Sequence, residues 1–380
     1  MTGKDVNFTP GDERWMAHAV RLSRRALGNT AENPPVGCVI VRGGMPVGLG
    51  WTATGGRPHA ETEALAMAGE AARGATAYVT LEPCAHHGRT PPCADALVRA
   101  GIGRVVVAVT DPDPRVSGKG LERLEAAGIE VGTGLCEEQA RRVLAGFLSR
   151  IERGRPHVLL KLAVSADGRI AAEPGRPTAI TGPEALARAH LMRARSDAIL
   201  VGAGTVKADD PSLTCRLPGL EDRSPVRIVL DDDLSIPEDC RLVATSDRVP
   251  TWIFTTLEAR EKALEFQKAH PHVRIMPVAH EETGRISPEA VLERLAQEGI
   301  NRLMVEGGAQ VARSFAERGL VDEAAIFSAP HKVLGEGAVK ALAGLPLETL
   351  TGGEMEAVEE TPLGPDVLRV YVRRRNDGTG

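Results

Sequence analysis

Short β-branched hydrophobic runs alternate with longer amphipathic segments along most of the 380 residues. The short runs are typical of buried strands, and the longer segments repeat apolar residues with helical spacing. This alternation predicts an α/β protein built in layers, with largely parallel strands. In the first half, the predicted strands cover residues 36–41, 77–81 and 104–109.

The hydrophobic pattern also predicts a domain boundary. A helical pattern runs through LERLEAAG and CEEQARRVLAGFLSRIERG to Gly154, and RPHVLLKLAVSADG then begins a new strand. Because single cores seldom grow beyond ~250 to 300 residues, we predict two domains, 1–154 and 155–380. Seven further segments of the second half read as strands: AILVGA, VRIVLD, TWIF, RIMPV, LMVEG, AAIFSAP and VLRVYVR.

Composition narrows the functional class. Hydrophobic residues make up 42% of the chain, aromatic residues only 3%, and the net charge is -5 with both signs interspersed. Nucleic-acid binding is disfavoured, because it relies on dense positive charge and stacking platforms. The N-terminus lacks the apolar core of a secretory signal, and no run approaches the ~20 residues of a membrane span. We therefore expect a cytoplasmic protein whose six cysteines are thiols or ligands rather than disulfides.

Two segments of the first half carry metal-binding chemistry. HAETEAL places His59 and Glu61 at the start of a helix expected to end near Gly74, and TPPCADALVRAG places Cys93 in the first turn of another helix. Cys84 follows the strand 77–81. One imidazole and two thiolates fill three zinc positions and leave the fourth open for water, as in catalytic zinc sites. Glu61 could then transfer the proton of that water.

Each element of this pattern is weak alone. A single His-x-Glu is common, and two cysteines spaced C-x8-C are more often coincidence than ligands. Together they favour a zinc deaminase, although such enzymes usually have the shorter Pro-Cys-x-x-Cys. The interval AHHGRTPP could bring His86, His87 and Arg89 to the mouth of the site, and for the two histidines a hydrogen-bonded loop is favoured over ligation.

The segment HAETEAL…GATAYVTLEPCAHHGRTPPCADAL, with NPPVGCVIV before it and DPDPRVSGKGLERLEAAGIEV after it, closely resembles the bifunctional deaminase and reductase family of riboflavin biosynthesis. The resemblance continues through GFLSRIERGRPHVLLKLAVSADGRIA and covers most of the chain. It implies a cytidine-deaminase-like α/β/α domain that releases ammonia from a phosphoribosylated diaminopyrimidinone. It assigns zinc to His59, Cys84 and Cys93 and proton transfer to Glu61. It also points to Asn33 as a substrate contact, for which a turn residue is an equal alternative.

Taken alone, the second half offers only partial motifs. VEGGAQVARSF and ILVGAGTVKADDP each combine a strand with a glycine-containing turn and a helix, a geometry that can present backbone amides to a phosphate. Neither contains a complete G-x-G-x-x-G, so a plain turn remains the better interpretation of either segment.

The family resemblance implies a dihydrofolate-reductase-like α/β domain that uses NADPH to reduce the ribosyl group of the deaminated product to ribityl. The matching positions for NADPH are Ala163, Thr205, Asp209 and Gly308. The matching positions for the substrate are Arg193, Leu213, Arg216 and Glu306. Without the family, both arginines read as surface charges and Asp209 as a turn cap.

Two positions depart from the family pattern: Ala166 replaces the usual leucine, and Ala179 replaces a tryptophan expected against the cofactor. Because the motifs DAILVGAGTVKADDPSLTCR and VEGG are intact, we still expect an active reductase. The alternatives are a deaminase with a degenerate, non-reducing second domain and a zinc-stabilised binding module without turnover. Glu61 and the charge balance oppose the latter. Family members are typically homo-oligomers acting on small molecules.

Overall fold

The computed structural model describes residues 7–86, 91–114 and 116–374. The chain divides into two compact units, Met1–Arg155 and Pro156–Gly380. Within the described residues, no helix has the length and apolar character needed to cross a membrane.

The first unit is a five-stranded sheet flanked by helices. Its helices are α1 (Pro10–Ser23), α2 (Ala60–Ala68), α3 (Cys93–Ala100), α4 (Lys119–Ala126) and α5 (Glu137–Arg153). Its strands are β1 (Gly37–Arg42), β2 (Met45–Trp51), β3 (Thr76–Leu81), β4 (Arg104–Val109) and β5 (Glu130–Thr133). The strand order is β2-β1-β3-β4-β5. The strands β3, β4 and β5 are parallel, whereas β1 is antiparallel to both of its neighbours.

The sheet of the first unit is covered on both faces, so its central strands are continuous apolar runs. In β4, residues Val105 to Val109 are all buried, as expected for a strand between two helical layers. The glycines of β2 permit unusually close helix packing. A Cβ atom on Gly50 would lie 2.1 Å from the carbonyl oxygen of Ala60, so the backbone of α2 rests directly on this strand.

The second unit contains a nine-stranded sheet and a small two-stranded sheet. Its helices are α6 (Pro183–Ala194), α7 (Ala203–Asp209), α8 (Arg241–Ala244), α9 (Arg260–Ala269), α10 (Pro288–Gln297), α11 (Ala309–Glu317) and α12 (Glu348–Thr351). Its strands are β6 (His157–Ser165), β7 (Arg169–Ala171), β8 (Ala198–Gly202), β9 (Val226–Leu230), β10 (Thr251–Thr256), β11 (Val273–Val278), β12 (Arg302–Val305), β13 (Glu323–Ala329), β14 (Val339–Lys340), β15 (Met355–Leu363) and β16 (Asp366–Arg373).

The order of the large sheet places the predicted ligand segments side by side. The strands run β11-β10-β9-β8-β12-β6-β13-β16-β15, and β7 pairs with β14 separately. From β11 to β13 all neighbours are parallel, and the β15–β16 hairpin adds an antiparallel edge. Thus β12 lies between β8 and β6, and the carboxyl ends of these three strands meet at one edge, where open α/β sheets bind ligands.

The predicted α/β class and every predicted strand are confirmed, with corrections of detail. The prediction of largely parallel strands is correct for the second unit, but the sheet of the first unit is mixed. The predicted helix after His59 is shorter than expected, because Gly69 adopts a φ of 52° and ends α2, and a 3-10 turn follows. The strand β2 escaped prediction because its proline and two glycines are unfavourable in strands.

Candidate functional site

Three donor side chains converge at one edge of the first unit. His59 occupies the N-cap position of α2, Cys84 follows β3, and Cys93 is the first residue of α3. Their ligand atoms all lie within 4.8 Å of one another. The three residues predicted to bind zinc are thus brought together by the fold.

The spacing of these donors fits a tetrahedral metal. Nδ1 of His59 lies 3.7 Å from Sγ of Cys84 and 3.3 Å from Sγ of Cys93. A nitrogen and a sulfur bound to the same tetrahedral zinc ion are about 3.5 Å apart, given the usual Zn–N and Zn–S bond lengths. One nitrogen and two thiols also form a soft donor set, which suits zinc, whereas calcium and magnesium prefer oxygen ligands.

The two thiols differ in acidity. A hydrogen bond with Cys93 lowers the pKa of Cys84 to about 4, against the effect of burial and with help from His59. The same bond with Cys84, together with burial, raises the pKa of Cys93. The backbone amide of Cys93 also donates to Sγ of Cys84 at 3.3 Å, so Cys84 is the sulfur prepared to be a thiolate.

Glu61 lies beside the donors and is 3% exposed. Burial raises the pKa of its carboxyl group to about 7, although the charge of His59 acts in the opposite direction. A hydrogen bond with Cys93 places the carboxyl group next to the sulfur ligands. A carboxyl group with a pKa near neutrality can both accept and return a proton, which is the requirement for a proton shuttle.

The structure describes two of the other four residues predicted for the first unit, His86 and Asn33. His86 is exposed, while His87 and Arg89 fall outside the described residues. Asn33 lies in the turn before β1, where its backbone amide donates to the carbonyl oxygen of Thr30 at 3.1 Å. Its side chain packs against Gly56. The turn is established, and a substrate contact for Asn33 stays a prediction.

In the second unit, Arg193 and Glu306 form a largely buried pair. Nε and Nη2 of Arg193 donate to the two carboxylate oxygens of Glu306 at 2.8 and 2.9 Å. Burial raises the pKa of Glu306, but the charges of Arg193 and Lys161 outweigh it and hold that pKa at about 2. Arg193 is therefore not the surface charge that its sequence context alone indicates.

Lys161 was missed by the sequence analysis. Its Nζ lies 3.8 Å from Oε2 of Glu306, because β6, which carries Lys161, is the neighbour of β12. The available signal was a lysine in the otherwise apolar run VLLKLAV, since a buried charge in a strand needs a partner.

The loop after α7 is fastened to α6 next to this pair. Nη1 of Arg193 donates to the carbonyl oxygen of Thr214 at 3.1 Å, and the amide of Arg216 donates to Nδ1 of His190 at 3.3 Å. Leu213 is buried with a φ of 51°, a conformation that costs a non-glycine residue energy. The side chain of Arg216 is exposed and bonds Ser212 at 2.8 Å. Leu213 and Arg216 thus lie on a loop that contacts the Arg193 side chain.

The predicted cofactor residues lie in β6 or in the segments that follow β8 and β12. The amide of Gly308, which caps α11, donates to Oγ1 of Thr205 at 3.1 Å, so these two predicted residues are in contact. Asp209 is the last residue of α7 and is exposed. Ala163 lies in β6, two strands from the one that leads to Thr205. Their cofactor contacts stay predictions.

The two positions that depart from the family pattern are connected through one residue. The backbone amide of Ala166 donates to the carbonyl oxygen of Lys332 at 2.8 Å, and Nζ of Lys332 bonds the carbonyl oxygen of Ala179. At both positions the residue is alanine, and the hydrogen bond involves its backbone.

Comparison with known families agrees with this division. Residues 10–109 match the zinc-binding region of cytidine and deoxycytidylate deaminases, and residues 156–368 match the RibD C-terminal domain. The fold and the donor set therefore define a two-domain enzyme with a zinc-binding deaminase domain followed by a reductase domain.

Relatives over the full length place the chain in a family. It is 44% identical over 326 residues to the riboflavin biosynthesis protein RibD of Aquifex aeolicus, covering 86% of this chain and 88% of that protein. It is 42% identical over 369 residues to RibD of Escherichia coli, covering 94% and 98%. The chain belongs to the RibD family of riboflavin biosynthesis proteins.

Solved structures agree with this assignment. RibD of Acinetobacter baumannii superposes with a TM-score of 0.83 at 36% identity, covering 96% of this chain and 99% of that one. A Thermotoga maritima protein described as a diaminohydroxyphosphoribosylaminopyrimidine deaminase/5-amino-6-(5-phosphoribosylamino)uracil reductase superposes with a TM-score of 0.82 at 34% identity, with the same coverage.

Proposed function

We propose that this chain catalyses two consecutive steps of riboflavin biosynthesis. The first unit hydrolytically deaminates 2,5-diamino-6-(5-phosphoribosylamino)pyrimidin-4-one, and the second reduces the ribosyl group of 5-amino-6-(5-phosphoribosylamino)uracil to ribityl with NADPH. The observation that carries the proposal is the convergence of His59, Cys84 and Cys93 within 4.8 Å, beside buried Glu61, in a chain that also carries the reductase domain.

In the deaminase step, His59, Cys84 and Cys93 hold the zinc ion. When bound, zinc supplies Lewis-acid activation of a water molecule at neutral pH. Glu61 accepts a proton from the attacking water and later delivers a proton to the departing amino group, which leaves as ammonia. The elevated pKa of Glu61 suits both halves of this transfer, because neither protonation state is strongly disfavoured near pH 7.

In the reductase step, the side chains at the carboxyl edge of β8, β12 and β6 orient the two reactants. The nicotinamide supplies the hydride when NADPH is bound. We assign the turn around Thr205 and Gly308 to the cofactor. Lys161, Arg193 and Glu306 lie at the reacting end of the substrate, and the exposed guanidinium of Arg216 is available for its phosphate. The guanidinium of Arg193 already donates two hydrogen bonds to Glu306 and one to the carbonyl oxygen of Thr214. Its role is therefore to position the Glu306 carboxylate and the loop at Thr214.

Two measurements on the purified protein test this proposal. Elemental analysis should find about one zinc ion per chain, lost in Cys84→Ser and Cys93→Ser but kept in Cys136→Ser, whose thiol lies at the start of α5. The deaminated substrate should drive NADPH oxidation, which is followed by absorbance. Deamination without NADPH oxidation would instead favour a non-reducing second domain. The cytoplasmic location and the homo-oligomeric assembly expected from the sequence stay predictions.

A further inference from the structure

Helix α4 contacts both cysteine-bearing segments through one side chain. Nη1 of Arg123 donates to the carbonyl oxygen of Ala85 at 3.3 Å, and the same guanidinium forms an ion pair with Asp95. Ala85 directly follows Cys84, and Asp95 lies two residues after Cys93. Arg123 therefore bridges the two segments that supply the sulfur ligands.

Glu82 attaches the N-terminus of α4 to the Cys84 segment. Its carboxylate is buried and accepts four backbone amides, from the first turn of α4, its N-cap residue and the loop that follows β4. Oε1 accepts from Gly120 at 2.9 Å and Leu121 at 3.4 Å, and Oε2 accepts from Gly118 at 3.0 Å and Asp111 at 3.2 Å. The carboxylate thus satisfies the unpaired first amides of the helix and faces the positive end of its dipole.

A close backbone contact reinforces this attachment. A Cβ atom on Gly120 would lie 2.1 Å from the carbonyl oxygen of Pro83, so only glycine allows α4 to lie this near the residue that precedes Cys84. The first turn of α4 and the Cys84 segment are therefore held in one fixed relation.

The two cysteine segments also touch each other directly. The amide of Ala94 donates to the carbonyl oxygen of Cys84 at 3.2 Å, and the amide of Cys93 to Sγ of Cys84 at 3.3 Å. These bonds join the two cysteine segments directly, whereas Arg123, on α4, and Glu82, after β3, connect those segments to α4. In a Cys-x-x-Cys site, a single turn sets the spacing of the sulfurs. With eight residues between Cys84 and Cys93, that spacing must come from tertiary contacts.

We propose that α4 holds the two cysteine segments of the metal site in place. Glu82 and Arg123 are the positioning residues that fix the separation of the two zinc-binding sulfurs. The proposal rests on the proposed function, because it takes zinc as the occupant of His59, Cys84 and Cys93. Neither residue binds the metal. Each acts through the segments that carry Cys84 and Cys93.

The test measures zinc release from the full-length protein to a chromogenic chelator at fixed pH. Removal of groups that orient metal ligands typically costs about 10- to 100-fold in metal affinity, so we expect Arg123→Leu and Glu82→Gln to release zinc about tenfold faster than wild type or more. Arg123→Lys should recover part of the loss, since an ammonium can still pair with Asp95. Arg142→Leu, which removes an exposed ion pair with Glu138 on α5, should release zinc at the wild-type rate.

Thermal unfolding of the metal-free protein separates positioning from general stability. Arg123→Leu should change this transition no more than Arg142→Leu does, while zinc release accelerates only in Arg123→Leu. Zinc release at the wild-type rate from a folded, zinc-loaded Arg123→Leu protein would overturn the positioning role of α4 without contradicting the proposed zinc site. A purified wild-type protein that contains no zinc would overturn both the proposed zinc site and the positioning role of α4. If Glu82→Gln does not fold, the zinc-release rates of the two Arg123 variants alone test the positioning role of α4.

Discussion

At the scale of single residues, the chemistry of both units depends on buried charges whose partners are remote in sequence. Glu61 is buried beside one histidine and two thiols, which keeps its pKa near 7. Glu306 is also largely buried, yet Arg193 and Lys161 hold its pKa at about 2. Two largely buried carboxyl groups thus take different forms at neutral pH, one able to exchange a proton and one fixed as an anion.

Glu61→Gln separates proton transfer from metal binding. The amide cannot carry the proton, so ammonia release should fall by about 10²- to 10⁴-fold, the usual contribution of general acid–base catalysis. Zinc content should stay at wild-type level in elemental analysis, because Glu61 is not one of the three ligands. Glu63→Gln, an exposed carboxyl group on the same helix, is the matched control. Wild-type deamination by Glu61→Gln would refute the assignment of the proton shuttle.

Arg216→Ala tests the assignment of the phosphate group in the second unit. Loss of a charged hydrogen bond of about 1.5–3 kcal/mol should raise the KM for the phosphorylated substrate by about 10- to 100-fold. The KM for NADPH should change much less. Steady-state kinetics with each reactant varied in turn provides the measurement. Arg369→Ala, which removes another partly exposed arginine, should change neither constant, and equal weakening of both reactants in Arg216→Ala would contradict the phosphate role.

At the scale of elements, the first unit depends on direct backbone contact between a strand and a helix. Gly50 in β2 faces the first turn of α2, with no room for a side chain. The same turn begins at His59 and contains Glu61. The packing of β2 therefore determines where His59, a proposed zinc ligand, and Glu61, the proposed proton shuttle, lie.

Gly50→Ala should disturb stability and metal binding together. Its Cβ would lie 2.1 Å from the carbonyl oxygen of Ala60 and 2.7 Å from the amide nitrogen of Ala64, so α2 must shift. Overpacking of this kind costs about 1–3 kcal/mol or more, measured by urea unfolding, and zinc release should accelerate. Gly11→Ala in α1 is the control, since its Cβ would meet only Oγ1 of Thr9 at 3.5 Å. Unchanged unfolding in Gly50→Ala would contradict the close packing.

At the scale of the whole molecule, partly buried ion pairs connect strands that are distant in the chain. Glu323 in β13 accepts from Arg302 in β12 at 2.6 Å, and its carboxylate lies 3.2 Å from Nε2 of His157 in β6. Burial raises the pKa of Glu323, but the charge of Arg302 and the bond to His157 outweigh it and hold that pKa at about 2. This cluster joins three adjacent strands of the large sheet.

The depressed pKa of Glu323 predicts a loss of stability in acid. Its ordinary value is 4.5, so the stabilisation is complete above about pH 5 and disappears as the pH falls towards 2. The shift corresponds to about 3 kcal/mol at most. Urea midpoints followed by circular dichroism should therefore show Glu323→Gln less stable than wild type at pH 7, with a smaller difference at pH 3. A difference that is constant with pH would show that the carboxylate is not held as an anion by these partners.

The sequence alone predicted the donor set of the proposed zinc site and determined the layered α/β class. The pattern of His59, Glu61, Cys84 and Cys93 is readable because each residue lies at a local signal, a helix start or a strand end, that needs no knowledge of distant segments. The central strands were equally readable, because burial on both faces requires continuous apolar runs. The strands β2, β5, β7, β14 and β15 were not predicted, and β2 carries the glycines that its neighbouring helix requires.

Only the tertiary structure decided which remote residues meet. Arg193 and Glu306 are 113 residues apart, and Lys161 joins them because β12, late in the chain, lies between β6 and β8. The attachment of α4 to both cysteine segments likewise depends on where that helix docks. Sheet order and helix docking are set by packing summed over many residues, so no local pattern encodes these partners, and the buried charges become interpretable only once the fold has placed them together.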